Sequence, residues 1–424
     1  MDTHQTTSLL VGLAAMVVLA RLLGVLARRL GQPAVIGEVL AGIALGPTLF
    51  HGAISDALFP TDIRPLLAAL AAVGVAVFMF IVGLEWDATL IRGSGSLAAT
   101  VSFSSILLPF GLGSLLALYL VDDYGTGDQT AFTLFMGIAM SITAFPVLAR
   151  ILTDRKMNRT PLGVVALACA SIDDVLAWTL LATVVAISGS AGPDQWRILL
   201  AIPYLVGMLY GVRPLLRRYA DRRPELRLTP TVLAFVLAGL LLSAAATEWV
   251  GLHYIFGAFL FGLVLPREGS ERLRAEVHDR LGQLNGQLLL PVFFLVAGLK
   301  VDLSGVDAAG LGALTLILLV AIGGKFTGAF VAARLNKMSP RQSVALATLM
   351  NTRGLTELIV LNVGLQLGFL NQELYSLMVV MAVVTTAMAG PLLTWVLGRP
   401  TEVARHGDHE ALDTLASTAG KKAA

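Results

Sequence analysis

Apolar runs of bilayer-crossing length recur from one end of the chain to the other, parted only by short charged stretches. A spanning helix needs about 20 apolar residues, and the lipid interior makes each backbone amide and carbonyl pair within its own segment or within a closed barrel. Composition agrees, since the 424 residues are 56% hydrophobic and 14% charged with a mean hydropathy of +0.80. Soluble chains carry about 25% charged residues. The expected class is therefore an all-α, polytopic membrane protein. The first run, about 8–26, ends in Arg28-Arg29 and has neither a basic leader nor a small-residue cleavage site, so it reads as a retained helix and not a signal peptide. Cys169, the one cysteine, lies inside a run, which removes disulfide and cysteine-metal frameworks.

Hydropathy and helix breakers place thirteen segments at 6–27, 33–50, 66–84, 96–120, 129–153, 162–188, 195–212, 229–247, 250–265, 281–299, 310–333, 342–367 and 373–397. Loop charges support that number. Arg28 and Arg29, Arg92, the group Arg150, Arg155, Lys156 and Arg159, the run from Arg213 to Arg227, Arg267 to Arg280, and Arg334 to Arg341 fall in alternate loops. The intervening loops hold Asp122, Asp123, Asp128, Asp302, Asp307 and Glu373. The positive-inside rule then puts the amino terminus outside and the carboxyl terminus in the cytoplasm.

Segments five and twelve are interrupted, at Ser141-Ile142-Thr143-Ala144-Phe145-Pro146 and at Asn351-Thr352-Arg353-Gly354. They lie seven segments apart, and an odd offset reverses orientation, so they read as inverted partners of the kind secondary transporters use to build midplane sites. The expected organisation is one membrane domain over 1–398, with a first six-helix repeat at about 6–188, a connector at 189–228 and a second repeat at about 229–398. Residues 399–424 form a short cytoplasmic tail.

Asp173 and Asp174 stand side by side within the apolar run from Leu162 to Ser188. One carboxylate at the bilayer centre costs roughly 3 kcal/mol or more, so intramembrane acids mark ion or proton handling by default. Low dielectric with partial water access favours the protonated carboxyl, which can then trade its proton for a cation. Adjacent helical residues point about 100° apart, so the two acids have different surroundings. Lys300 is a candidate positive partner if it turns inward; at the end of its segment, with Asp302 and Asp307 following, it equally suits a snorkelling interfacial role. Arg353 and Glu357, four apart, share a helix face and can pair, either as scaffold or to neutralise broken-helix ends. Thr143 and Asn351 offer oxygen or hydrogen-bonding groups beside the breaks. Glu38 is a further embedded acid, among glycines that permit close helix approach.

Enzyme readings fail on the residues. Two adjacent acids on one helix are not the facing pair of an aspartyl protease, and no Gly-x-Ser-x-Gly, His-Glu-x-x-His or Walker A sequence is present. His253 reads as packing or interfacial, and the six histidines show no metal-ligand spacing. No cofactor, resident metal or nucleic-acid partner is expected.

PAVIGEVLAGIALGP (33–47), SITAFPVLARIL, ASIDDVLAW, PVFFLVAGLKVDL and MNTRGLTELIVLNVGL together resemble the cation:proton antiporter-2 family of the sodium/proton antiporter superfamily, the last two being especially close to plant cation/proton exchangers and their bacterial relatives. The resemblance implies a thirteen-helix homodimer with crossed discontinuous helices in a six-helix core and elevator-type alternating access. By motif it makes Asp174 the principal cation and proton carboxylate, Asp173 its companion and Lys300 the ion-pair partner. Thr143 and Asn351 fall at the helix crossing, and Arg353 and Glu357 in its charged scaffold. The expected activity is exchange of Na+ or K+ for H+ across the cell membrane, serving pH homeostasis, with lipid as the surroundings and a separate subunit as the one source of nucleotide-type regulation. A cation channel or pH sensor and a sodium-coupled symporter are the competing classes.

Overall fold

The computed structural model describes residues 3–48, 52–85, 95–157, 160–187, 199–222, 227–267 and 270–398. The expected tail 399–424, Arg92, Arg159, Arg223 and parts of the connector lie outside the described residues. In chain order the helices are α1 (Thr3–Arg29), α2 (Ala34–Leu45), α3 (Ala53–Leu58), α4 (Arg64–Glu85), α5 (Gly95–Tyr124), α6 (Gln129–Ser141), α7 (Phe145–Asp154) and α8 (Pro161–Ile187). Then come α9 (Ala201–Val206), running through a wide turn into α10 (Arg213–Asp221), α11 (Pro230–Val250), α12 (Tyr254–Val264) and α13 (Glu271–Leu284), which continues through a second wide turn into α14 (Leu290–Leu299). The chain closes with α15 (Ala308–Leu335), α16 (Pro340–Met350), α17 (Leu355–Gln366) and α18 (Gln372–Leu397).

Among the described residues nine helical stretches are long and apolar enough to cross a membrane, α16 and α17 form a tenth bent by 40°, and α2 and α12 are shorter apolar helices. Helix starts are capped at the water faces. Asp128, Asp307 and Asn371 accept hydrogen bonds from the amides of Thr130, Gly310 and Leu374 at 2.7, 2.8 and 2.8 Å, satisfying donors that the first turn leaves open. Tracing these antiparallel helices collects Arg28, Arg155, Arg218, Arg274, Arg334 and Arg341 at one end of the molecule, here the basic face. Asp128, Glu248, Asp302, Asp307 and Glu373 collect at the other, the acidic face.

Segment ten differs from its expected start. Its helix begins at Glu271, because Leu273, Val277 and Leu281 recur every fourth residue and bury one face of a stretch too charged for hydropathy to flag. Segment two ends early, at Leu45, before Gly46-Pro47.

Packing divides the helices into two bundles. α5, α6, α7, α8, α15, α16, α17 and α18 pack on one another, whereas α1, α2, α4, α11, α12 and α14 form the second group. Glycines seam the second bundle. A Cβ on Gly298 would stand 2.6 Å from the Val39 carbonyl oxygen, and one on Gly42 would stand 2.8 Å from the Gly298 Cα, so only glycine lets α2 and α14 lie this close.

Candidate ion-binding site

Both interruptions face each other inside the first bundle. α6 stops at Ser141 and α7 starts at Phe145, with Pro146 in its first turn, where the missing N–H costs nothing. Opposite, α16 stops at Met350 and α17 starts after Gly354, whose φ of +147° only glycine readily adopts. A Cβ there would also come within 2.6 Å of Val147 on α7. The two breaks are joined by the Ala144 amide donating to the Thr352 carbonyl at 2.9 Å and by the Thr143 hydroxyl donating to the Met350 carbonyl at 3.0 Å.

The half-helices leave carbonyls without helical partners in the membrane interior. Arg353, fully buried, donates to the carbonyls of Ala139 at 2.6 Å and Met140 at 2.5 Å, and its guanidinium also meets Glu357 at 3.0 Å. The Lys325 ammonium donates to the Ser141 carbonyl. Two cations thus complete the carboxyl-terminal end of α6, where the helix dipole favours positive charge. The expected Arg353–Glu357 pair is present, in the form that neutralises a broken-helix end.

Asp173 and Asp174 sit near the middle of α8, 0% and 5% exposed. Asp173 Oδ2 accepts from the Thr143 hydroxyl at 2.7 Å, the Lys325 ammonium at 2.9 Å and the Ser105 hydroxyl at 3.3 Å. Asp174, turned away around the helix, instead lies toward the start of α7 at Phe145. Asp173 Oδ1, Asp174 Oδ1 and Asn351 Oδ1 are buried without a protein hydrogen-bond partner. Asn351 spends its amide on the Met388 sulfur, at 3.8 Å. A buried acceptor left unpaired costs about 1–3 kcal/mol, and hard oxygens of this kind suit an alkali cation or a proton.

The partner of Asp173 is Lys325 and not Lys300. Lys300 follows the last turn of α14 at the acidic face, and its ammonium donates to Asn362 Oδ1 at 2.6 Å. Lys325 lies well inside α15, level with the acids, with both it and Asp173 at 0% side-chain exposure. The signal was a lone lysine in the small-residue run Ala321-Ile322-Gly323-Gly324-Lys325-Phe326-Thr327-Gly328, far from either end of its segment, where snorkelling cannot reach water. Ser105 on α5 carried no comparable signal. Glu38 stays apart from this site, beside Gly24 of α1. A cavity of about 480 Å³ between α10, α11 and α12, walled by Tyr219, Phe235 and Phe261, holds no carboxylate and is not an ion site.

A buried acid–lysine cluster where two discontinuous helices cross is the build of a secondary transporter. Residues 14–399 match the family described as "Sodium/hydrogen exchanger, transmembrane", and the chain belongs to that family, as its motifs led us to expect. It is therefore a multi-pass membrane protein of a transporter family and not an enzyme. The chain is similar to the Na(+)/H(+) antiporter NhaS4 of Synechocystis, 39% identical with 94% of this chain and 100% of that protein covered. Cation/H(+) antiporter 20 of Arabidopsis thaliana is 38% identical, over 97% of this chain and 50% of its own length. K(+)/H(+) antiporter 1 of Saccharomyces cerevisiae is 32% identical, over 92% of this chain and 46% of its own length. The chain thus spans about half the length of the plant and yeast relatives. The fold is that of the sodium proton antiporter MjNhaP1 from Methanocaldococcus jannaschii at pH 8, with a TM-score of 0.68 at 15% identity, covering 93% of this chain and 98% of that one.

Proposed function

We propose that the protein is a cation:proton antiporter in which Na+ or K+ competes with a proton for Asp174. The observation that carries this reading is the pair of buried carboxyls with unpaired oxygens at the crossing of two broken helices. The relatives named for Na+, K+ or unspecified cation exchange with H+ support the class and leave the cation open between them. Asp174 is the exchange site; Asp173, tied to Lys325, Thr143 and Ser105, is its fixed companion, and Asn351 supplies a further oxygen. A cation entering beside Asp173 meets the Lys325 ammonium at close range, so loading either stays with Asp174 or displaces the lysine proton, and that choice sets whether exchange is electrogenic.

Thirteen spans follow if α9 and α10 make the seventh, and the matching breaks in α6–α7 and α16–α17 support two inverted repeats. The basic face is cytoplasmic by the positive-inside rule, in a cell-membrane homodimer. Division into two bundles supports an elevator-like cycle, in which the charge-bearing bundle slides against the glycine-seamed one.

The test is reconstitution of the purified protein in liposomes with an imposed pH gradient. Added Na+ or K+ should collapse the gradient; ion flux without proton movement would instead indicate a channel, and organic-solute uptake driven by Na+ a symporter.

A further inference from the structure

At the acidic face the two bundles are stitched together by side chains that the ion site does not use. Lys300 donates to Asn362 of α17 at 2.6 Å, and His253, ahead of α12, meets Gln366 of the same helix at 3.3 Å. Asn362 and Gln366 are four apart and so share a face. Beside them the Tyr375 hydroxyl donates to the Ala297 carbonyl at 3.0 Å, the Asp302 amide donates to the Ser376 hydroxyl at 2.9 Å, and Gln372 donates to the Lys300 carbonyl. Every bond joins a residue of the α11–α14 side to α17 or α18. A sliding of one bundle against the other must break this seam.

His253 makes the seam sensitive to protons. Its ring is 7% exposed, and its Nδ1 is buried without a hydrogen-bond partner. The neutral ring, with its hydrogen on Nε2, satisfies the bond to Gln366 Oε1. A doubly protonated ring would bury a charge and an unpaired N–H at Nδ1, at a cost the closed seam does not repay. The groups facing it are Gln366 from α17, Tyr254 from α12, whose ring lies tilted with its centre 4.3 Å away, and Glu248 from the end of α11, the charged neighbour that acts on it. Glu248 is exposed and already holds the Tyr254 amide at 2.8 Å.

We propose that this seam is a gate closing the acidic face, that His253 is its proton-sensitive latch, and that protonation at the Nδ1 atom, which the closed seam buries without an acceptor, favours opening. The proposal rests on the alternating-access reading above. The closed seam buries the ring and leaves its Nδ1 without a partner, so it disfavours the charged form. The closed seam therefore binds fewer protons than the open one. Closure is favoured above the ordinary histidine range and weakens as pH falls through it, the sign an acid-opened gate requires.

Hydrogen–deuterium exchange of the full-length protein in lipid nanodiscs tests this with no cation gradient present. After correction for intrinsic exchange, protection of the Val301 and Tyr375–Met378 amides should fall severalfold between about pH 8 and about pH 5.5. His253→Gln should keep its protection at both pH values, and Gln366→Ala should show the acid-type exchange already at the higher one. Acid-independent protection in the wild type, an unchanged acid response in His253→Gln, or full protection in Gln366→Ala at high pH would each overturn the latch. Failure here leaves ion exchange at Asp174 standing, and loss of that exchange site would leave the seam measurable.

Discussion

The two bundles solve helix packing in opposite ways. Around α2 and α14 the helices touch backbone to backbone, with Gly42 against Gly298 and no ionic group in the contact. Around α6, α8, α15 and α17 the contact instead carries Asp173, Lys325, Arg353 and Glu357, all at 0% side-chain exposure. Glycine contacts gain dispersion energy with no desolvation cost, whereas a buried ion pair roughly balances its attraction against desolvation and becomes strongly unfavourable once one partner is lost. The first arrangement makes a frame whose packing does not depend on charge. The second makes a bundle whose stability depends on the charge state of its interior, as the proposed exchange of ions for protons requires.

The contrast sets an order of expected effects. Asp174→Asn, nearly isosteric, should leave the folded protein intact by thermal unfolding yet abolish cation-dependent proton movement in liposomes; retained exchange would take Asp174 out of the mechanism. Lys325→Ala should destabilise the protein by about 3–5 kcal/mol, because it strands Asp173 as an uncompensated buried charge, and Lys325→Ala combined with Asp173→Ala should recover much of that loss in thermal unfolding. In the other bundle, Gly298→Leu should cost about 1–3 kcal/mol through overpacking against Val39, while each folded molecule retains exchange in liposomes. Lys300→Ala should cost least, about 1 kcal/mol for one half-buried hydrogen bond. Equal losses at Lys300 and Lys325 by denaturant unfolding would erase the distinction drawn between the two lysines.

Those lysines also show how far the sequence could be read. The aspartate pair stood out because nothing else ionisable but Cys169 shares its run, and both breaks stood out through Pro146 and Gly354. The Arg353–Glu357 pair followed from spacing alone, since four residues on a helix fix two side chains on one face. Lys325 did not stand out, because its partner is 152 positions away and a single charge barely lowers the hydropathy of a 28-residue helix. Lys300 drew attention through its place in a recognisable motif, but its true neighbour is set by which face of α17 carries Asn362, a tertiary fact. The amphipathic start at Glu271 was hidden for the converse reason, since its buried leucines and valine are masked by charges on the opposite face. Local rules thus reached the Arg353–Glu357 pair, whose members lie one turn apart, and missed pairings made only by packing.

In the proposed cycle cation and proton compete for one carboxyl at Asp174. That competition is tested most directly by measuring cation affinity of the purified protein against pH, by calorimetry with Na+ and K+ in turn, for the wild type and Asp174→Asn. One-for-one competition predicts an apparent Kd that falls about tenfold for each unit rise in pH until the carboxyl is ionised, and no measurable binding in Asp174→Asn. An affinity independent of pH, or unchanged binding in the variant, would contradict it.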